Sequence, residues 1–124
     1  MIAKLFLIIA AGSGFLAVAL GAFGAHGLKG RLSEALFSAY QTAVQYHFYH
    51  TLALFGLALL IQRLGEKTLL LTSGYLFIAG MLLFCGSLYL LALGGPRWLG
   101  PITPLGGLAF MVAWLLLFVA AIRS

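Results

Sequence analysis

Between Ile2 and Ala25 a single side chain, Lys4, carries a charge; the rest are Ile, Leu, Phe, Val, Ala, Gly and Ser. A helix needs about 20 such residues to cross the ~30 Å hydrocarbon core of a bilayer. Three further apolar runs follow: one continues from a polar aromatic segment to Ile61, one extends from Thr68 to Leu93, and one from Leu105 to Ile122. Apolar residues make up 64% of the 124 and charged residues 7%, where a soluble domain carries roughly a quarter charged. A water-soluble chain this short cannot hide so much apolar surface. Lipid must be its solvent, and the mean hydropathy of +1.15 agrees.

A secretory signal competes for the first run, since Lys4 precedes an apolar core and Ala17-Val18-Ala19 imitates a cleavage site. The run continues through Gly21 to Ala25, long for a signal, so it reads as a retained helix. Its small residues Ala10, Gly14, Ala17, Gly21 and Ala25 recur at three- or four-residue spacing, the pattern that lets helices approach closely in lipid.

Gly24 to Glu34 mixes glycines with charges and reads as an interfacial turn, with Ser33 as the N-cap of a second helix that could run to about Gln62. Arg63 to Lys67 is a short charged turn. Gly94 to Pro104 holds three prolines and three glycines, which oppose regular helix, and Trp98 beside Arg97 is a typical interface anchor. Thr103 or Pro104 can start the last helix, and its Gly106-Gly107 pair is expected to meet the small face of the first. The expected fold is an all-α integral membrane four-helix bundle, up-down-up-down, one domain over 1–124 with spans near 3–25, 39–62, 68–93 and 105–122.

Both termini then share one side with Lys4, Arg63, Lys67 and Arg123, against Lys29, Arg31 and Arg97 on the other. The positive-inside rule leans toward cytoplasmic termini. Scattered singly at the ends of apolar runs, these charges are membrane anchors and not a nucleic-acid patch. Cys85 has no intramolecular partner for a disulfide. A shift of 60 residues lays Ser13-Gly14 over Ser73-Gly74, Ala53 over Ala113 and Arg63 over Arg123, as a parallel repeat of two helices would.

The densest chemistry lies in Tyr40-Gln41-Thr42-Ala43-Val44-Gln45-Tyr46-His47-Phe48-Tyr49-His50-Thr51. His47 and His50 stand about 60° apart on a helix, with Gln41, Gln45 and Tyr49 on the opposite flank. Ionisable groups inside a span are costly and functional by default. Together with His26 the two histidines could hold a transition metal. No embedded carboxylate or cysteine partner accompanies them, however, and no metal is assigned. Bis-histidine haem needs rings facing across helices, for which His26 and His47 form the only thinkable pair. No cofactor is assigned either.

A pocket of His26, Tyr40, Gln41, Gln45, Tyr46, His47 and His50 for a lipid headgroup or small amphiphile is the third reading. In the plainest reading the same groups are hydrogen-bonding glue between helices. Gly24-Ala25-His26-Gly27 lacks the strand and Lys-Ser/Thr of a phosphate loop. No nucleophile–base pair with an orienting acid is visible, and Glu34 and Glu66 fall on opposite membrane sides.

Four segments together form a pattern: Gly21 to Leu28, Tyr40 to Ala53, Gly86-Ser87-Leu88-Tyr89, and Gly100-Pro101-Ile102-Thr103-Pro104-Leu105-Gly106-Gly107. The chain resembles over its whole length the domain of unknown function 423 family, the YgdD-like small bacterial inner-membrane proteins; eukaryotic transmembrane protein 256 is similar. The resemblance implies a four-span protein of the bacterial inner membrane and brings no catalytic residues with it. Two functions are therefore carried forward. One is a non-catalytic accessory or lipid-binding protein, with membrane lipids, a second copy or another membrane protein as partners. The other is a ligand-, metal- or proton-handling site in a transporter-like homo-oligomer.

Overall fold

The computed structural model describes residues 1–124 as helices joined by short turns, with no strand. Four helices are long and apolar enough to cross a membrane. They are α1 (Ile2–Leu28), α2 (Glu34–Leu64), α3 (Thr68–Ala92) and α4 (Ile102–Arg123), which is entered through a 3₁₀ turn at Arg97–Leu99.

Local chemistry sets the ends. The Ser33 hydroxyl accepts from the Leu36 amide at 3.2 Å and starts α2, with Glu34 in the first turn where the helix dipole favours it. Gly65 stops the helix at φ +96°, in the left-handed region, while its N–H still reaches the Ile61 carbonyl. α4 begins at Ile102, with Pro101 at its cap and Pro104 inside the first turn, where a missing N–H breaks no helical bond. Two helices contain π turns, α1 at Gly24–Leu28 and α3 at Met81–Cys85.

α1 packs along α2 and α3 along α4, while α2 and α3 lie on the short diagonal between the two pairs. The aromatic side chains dictate how close the helices come. Phe6 of α1 fills the space left by the missing Cβ of Gly74 and meets the Tyr75 ring edge-on at 5.3 Å. Phe110 of α4 occupies the corresponding space over Gly80. Gly106 sits on the backbone of Phe84, where a Cβ would lie 2.2 Å from the amide nitrogen.

The expected meeting of α1 with α4 does not occur. Gly14 and Gly21 of α1 face Thr51 and Val44 of α2, and Gly106 faces α3. The reason lies in α2: His47, His50 and Thr51 are all buried, and burying them takes neighbours on several sides. α2 therefore takes an inner position and keeps α1 and α4 apart. On the side of the termini the Met1 ammonium lies 3.4 Å from the Glu66 carboxylate in the α2–α3 turn.

Candidate functional site

Residues 40–51 of α2 do not form one pocket; they are spread over four. At the start of the stretch the Tyr40 ring lies over Gly24, where a Cβ would be 2.4 Å from a ring carbon, and its hydroxyl donates to the Leu20 carbonyl beside the α1 π turn. Gln41 and Gln45 are exposed and line, with Tyr40, a recess of about 180 Å³ against Gly21 and Gly24. His26 is exposed on the π turn and shares neither a hydrogen bond nor a ring contact with His47 or His50.

His50 turns toward α4. Its Nδ1 lies 2.8 Å from the Tyr46 carbonyl and its Nε2 3.1 Å from the indole Nε1 of Trp114. A carbonyl can only accept and an indole N–H can only donate, so Nδ1 carries the proton and Nε2 is the acceptor. Phe110 stacks on the ring at 3.6 Å and 9°. Both nitrogens are used, which leaves His50 no lone pair for a metal or haem. In front of it, α2 and α4 enclose a groove of about 800 Å³, walled by Tyr46, Tyr49, Phe84, Phe110 and Trp114 and reaching up to Pro104. Neither the Tyr46 nor the Tyr49 hydroxyl has a hydrogen-bond partner within the chain.

His47 turns the other way, toward α1 and α3. Its Nε2 lies 2.8 Å from the Ser13 hydroxyl and its Nδ1 3.0 Å from the Tyr89 hydroxyl. Ser13 continues to Thr51 at 2.6 Å, and Thr51 donates to the Met81 sulfur at 3.6 Å. The network joins three helices near the middle of each, and no buried side-chain polar atom is left unpaired. A groove of about 410 Å³ between α1 and α3 has His47 and Tyr89 on its wall, together with Met81 and Cys85 from the π turn.

Ser13 beside His47 superficially matches a nucleophile–base pair. The third position holds Tyr89, a neutral phenol where a triad has a carboxylate. Nothing about the pair resembles an activated nucleophile: Ser13 is bridged to Thr51 as well as to His47.

The three histidines thus diverge instead of converging. Sequence reasoning missed Ser13, Met81, Tyr89, Phe110 and Trp114. Of these only Tyr89 had a signal, in the Gly86-Ser87-Leu88-Tyr89 segment. Ser13 stands out only as a hydroxyl in an otherwise apolar run.

A family model described as "Protein of unknown function (DUF423)" matches residues 20–107. The UPF0382 membrane protein YwdK of Bacillus subtilis (strain 168) is 47% identical over 120 residues, 97% of this chain and 98% of its own. The UPF0382 inner membrane protein YgdD of Escherichia coli (strain K12) is 44% identical over 123 residues, 99% of this chain and 93% of its own. The UPF0382 membrane protein SAB0533 of Staphylococcus aureus (strain bovine RF122 / ET3-1) is 42% identical over 97% of both chains. No solved structure matches.

Proposed function

We propose that this chain, which belongs to the DUF423 family and is a multi-pass inner-membrane protein, is a non-catalytic, lipid-binding accessory protein. α2 holds the bundle together from inside, and the groove between α2 and α4 takes a lipid acyl chain. The observation that carries this reading is the groove itself. Its volume of about 800 Å³ falls in the range of roughly 300–1,000 Å³ typical of small-molecule sites. It runs from Pro104 at the start of α4 to Trp114 near its middle, about 15 Å at 1.5 Å per residue. That places it within one leaflet, open to the hydrocarbon. The free hydroxyls of Tyr46 and Tyr49 offer hydrogen bonds to the ester or headgroup oxygens of the lipid; unpaired in hydrocarbon they would be costly.

Native mass spectrometry of gently extracted protein tests this. One lipid per chain should stay bound through gentle extraction, and Gly107→Phe should remove it. A Cβ at Gly107 meets only the Phe84 ring, at 3.7 Å, so the new ring extends into the groove without disturbing the backbone. A bare chain, or a lipid adduct unchanged in Gly107→Phe, overturns the reading.

A further inference from the structure

The charges at the terminal end of the bundle are not spread evenly. Lys67, in the turn before α3, and Arg123, at the end of α4, line one recess of about 310 Å³ between the two helices. Both cations are exposed, and neither has a carboxylate within 4 Å. The acid next to Lys67 in sequence is drawn away from them. The Glu66 carboxylate accepts from the Ile2 amide at 3.1 Å and faces the N-terminal ammonium at 3.4 Å, both on the α1 side. The recess is therefore lined by two positive side chains and no negative one. Like charges gathered at one place repel, and an anion between them turns that repulsion into attraction.

The rest of the lining says what kind of anion fits. Thr68 adds a hydroxyl at the rim, while Leu69 and Ala120 give the recess an apolar inner wall. Ala120 lies three residues before Arg123, about 5 Å deeper along α4 at 1.5 Å per residue. Charge at the membrane boundary and apolar surface just inside it match an anionic head joined to an apolar tail. A zwitterionic lipid also has a phosphate, but it carries its own cation beside it and brings that cation toward Lys67 or Arg123.

We propose that the α3–α4 recess binds the headgroup phosphate of an anionic phospholipid, held between Lys67 and Arg123. Basic pockets between spans on the cytoplasmic side take such headgroups, and the positive-inside rule gives this end of the bundle to the cytoplasmic leaflet. The site is independent of the lipid reading of the α2–α4 groove. That groove follows α4 from Pro104 to Trp114, whereas this recess meets α4 at Ala120 and Arg123, toward the other membrane face.

The test is native mass spectrometry of the full chain offered equal amounts of phosphatidylglycerol and phosphatidylcholine. The parent should hold one phosphatidylglycerol in preference. Lys67→Gln and Arg123→Gln should each lower that preference roughly fivefold, the worth of one basic residue at a membrane surface. Both side chains are exposed, so the melting temperature should stay at that of the parent. Arg63→Gln removes a charge from the same side of the membrane but outside the recess, and should leave the preference unchanged. Gly107→Phe should also leave it unchanged, which separates this site from the α2–α4 groove. Inorganic phosphate should not displace the lipid. No preference for phosphatidylglycerol, an equal fall in Arg63→Gln, or displacement by inorganic phosphate would overturn the proposal.

Discussion

His50 shows how a histidine can sit inside a span without being a ligand. Tyr46 and Trp114 occupy both nitrogens and Phe110 covers one face. His50→Ala should cost about 2–3 kcal/mol in detergent unfolding, from a lost ring and an orphaned indole N–H. Trp114→Phe should cost at most about 1 kcal/mol, since polar pairs in membranes average well below that. The adjacent glycines of α4 give a sharper contrast. Gly106→Ala drives a Cβ into the Phe84 backbone, 2.2 Å from its nitrogen, and should destabilise by about 3 kcal/mol or more. Gly107→Ala has room and should be neutral or stabilising by up to ~1 kcal/mol through helix propensity.

At the turn, the Ile2 amide and then the N-terminal ammonium hold the Glu66 carboxyl below its usual range. A lowered carboxyl stabilises above its ordinary range and ceases to as pH falls through the folded value. Protection of the Ile2 amide, its exchange rate relative to the intrinsic rate at the same pH, should therefore be lost as pH falls in the parent and be absent at all pH in Glu66→Ala. Residue types alone pointed to the 40–51 stretch. They could not say which histidine faces which helix, because a 60° difference sends His47 to α1 and α3 and His50 to α4. His26 was drawn in by its type, and the structure leaves it apart.

Among the elements, the α3 π turn decides the most. A π turn holds one residue more than the α register needs, and here it aims Met81 and Cys85 at the α1–α3 groove and Phe84 at Tyr46 and Gly106. Just past it, Thr103 donates to Ser87, which donates to the Phe84 carbonyl at 3.0 Å. Leu82 is 71% exposed, so Leu82→Ala should be nearly silent. Deleting Leu82 should close the turn into ordinary α-helix, leave the flanking segments on their faces, and withdraw the side chains of the turn from the α1–α3 groove and from Tyr46. The melting temperature should fall well below that of Leu82→Ala; equal values would show that the π turn positions nothing. The Ser33 cap was legible because capping needs only a hydroxyl at the right place. The π turns were not, because glycines at 24, 80 and 86 fit an ordinary helix equally well.

For the whole molecule, hydropathy was enough for an all-α four-span bundle, since only helices and closed barrels satisfy the backbone in lipid, and apolar runs of about 20 residues belong to helices. Helix adjacency was not, because small faces occur on both α1 and α4 while the buried polar groups of α2 decided who meets whom. Ser13 and Ser73, which the 60-residue shift superposes, each bond to the helix that follows their own, Ser13 to the His47 and Thr51 side chains and Ser73 to the Ala113 carbonyl at 2.8 Å. Lys4, Arg63, Lys67 and Arg123 on the terminal side outnumber Lys29, Arg31 and Arg97 on the other, and the positive-inside rule then predicts cytoplasmic termini. A C-terminal fluorescent-protein fusion should therefore glow, and an alkaline phosphatase fusion at the same site should be inactive.

A lipid in the α2–α4 groove would lie against Trp114, whose emission reports on it. The chain has two tryptophans, so Trp98→Phe leaves Trp114 as the only emitter. Phospholipid brominated on its acyl chains, titrated into delipidated Trp98→Phe protein, should quench the emission and saturate near one lipid per chain. Adding Gly107→Phe should abolish that saturable phase. Quenching that only tracks the bulk lipid fraction, alike in both proteins, would contradict the account.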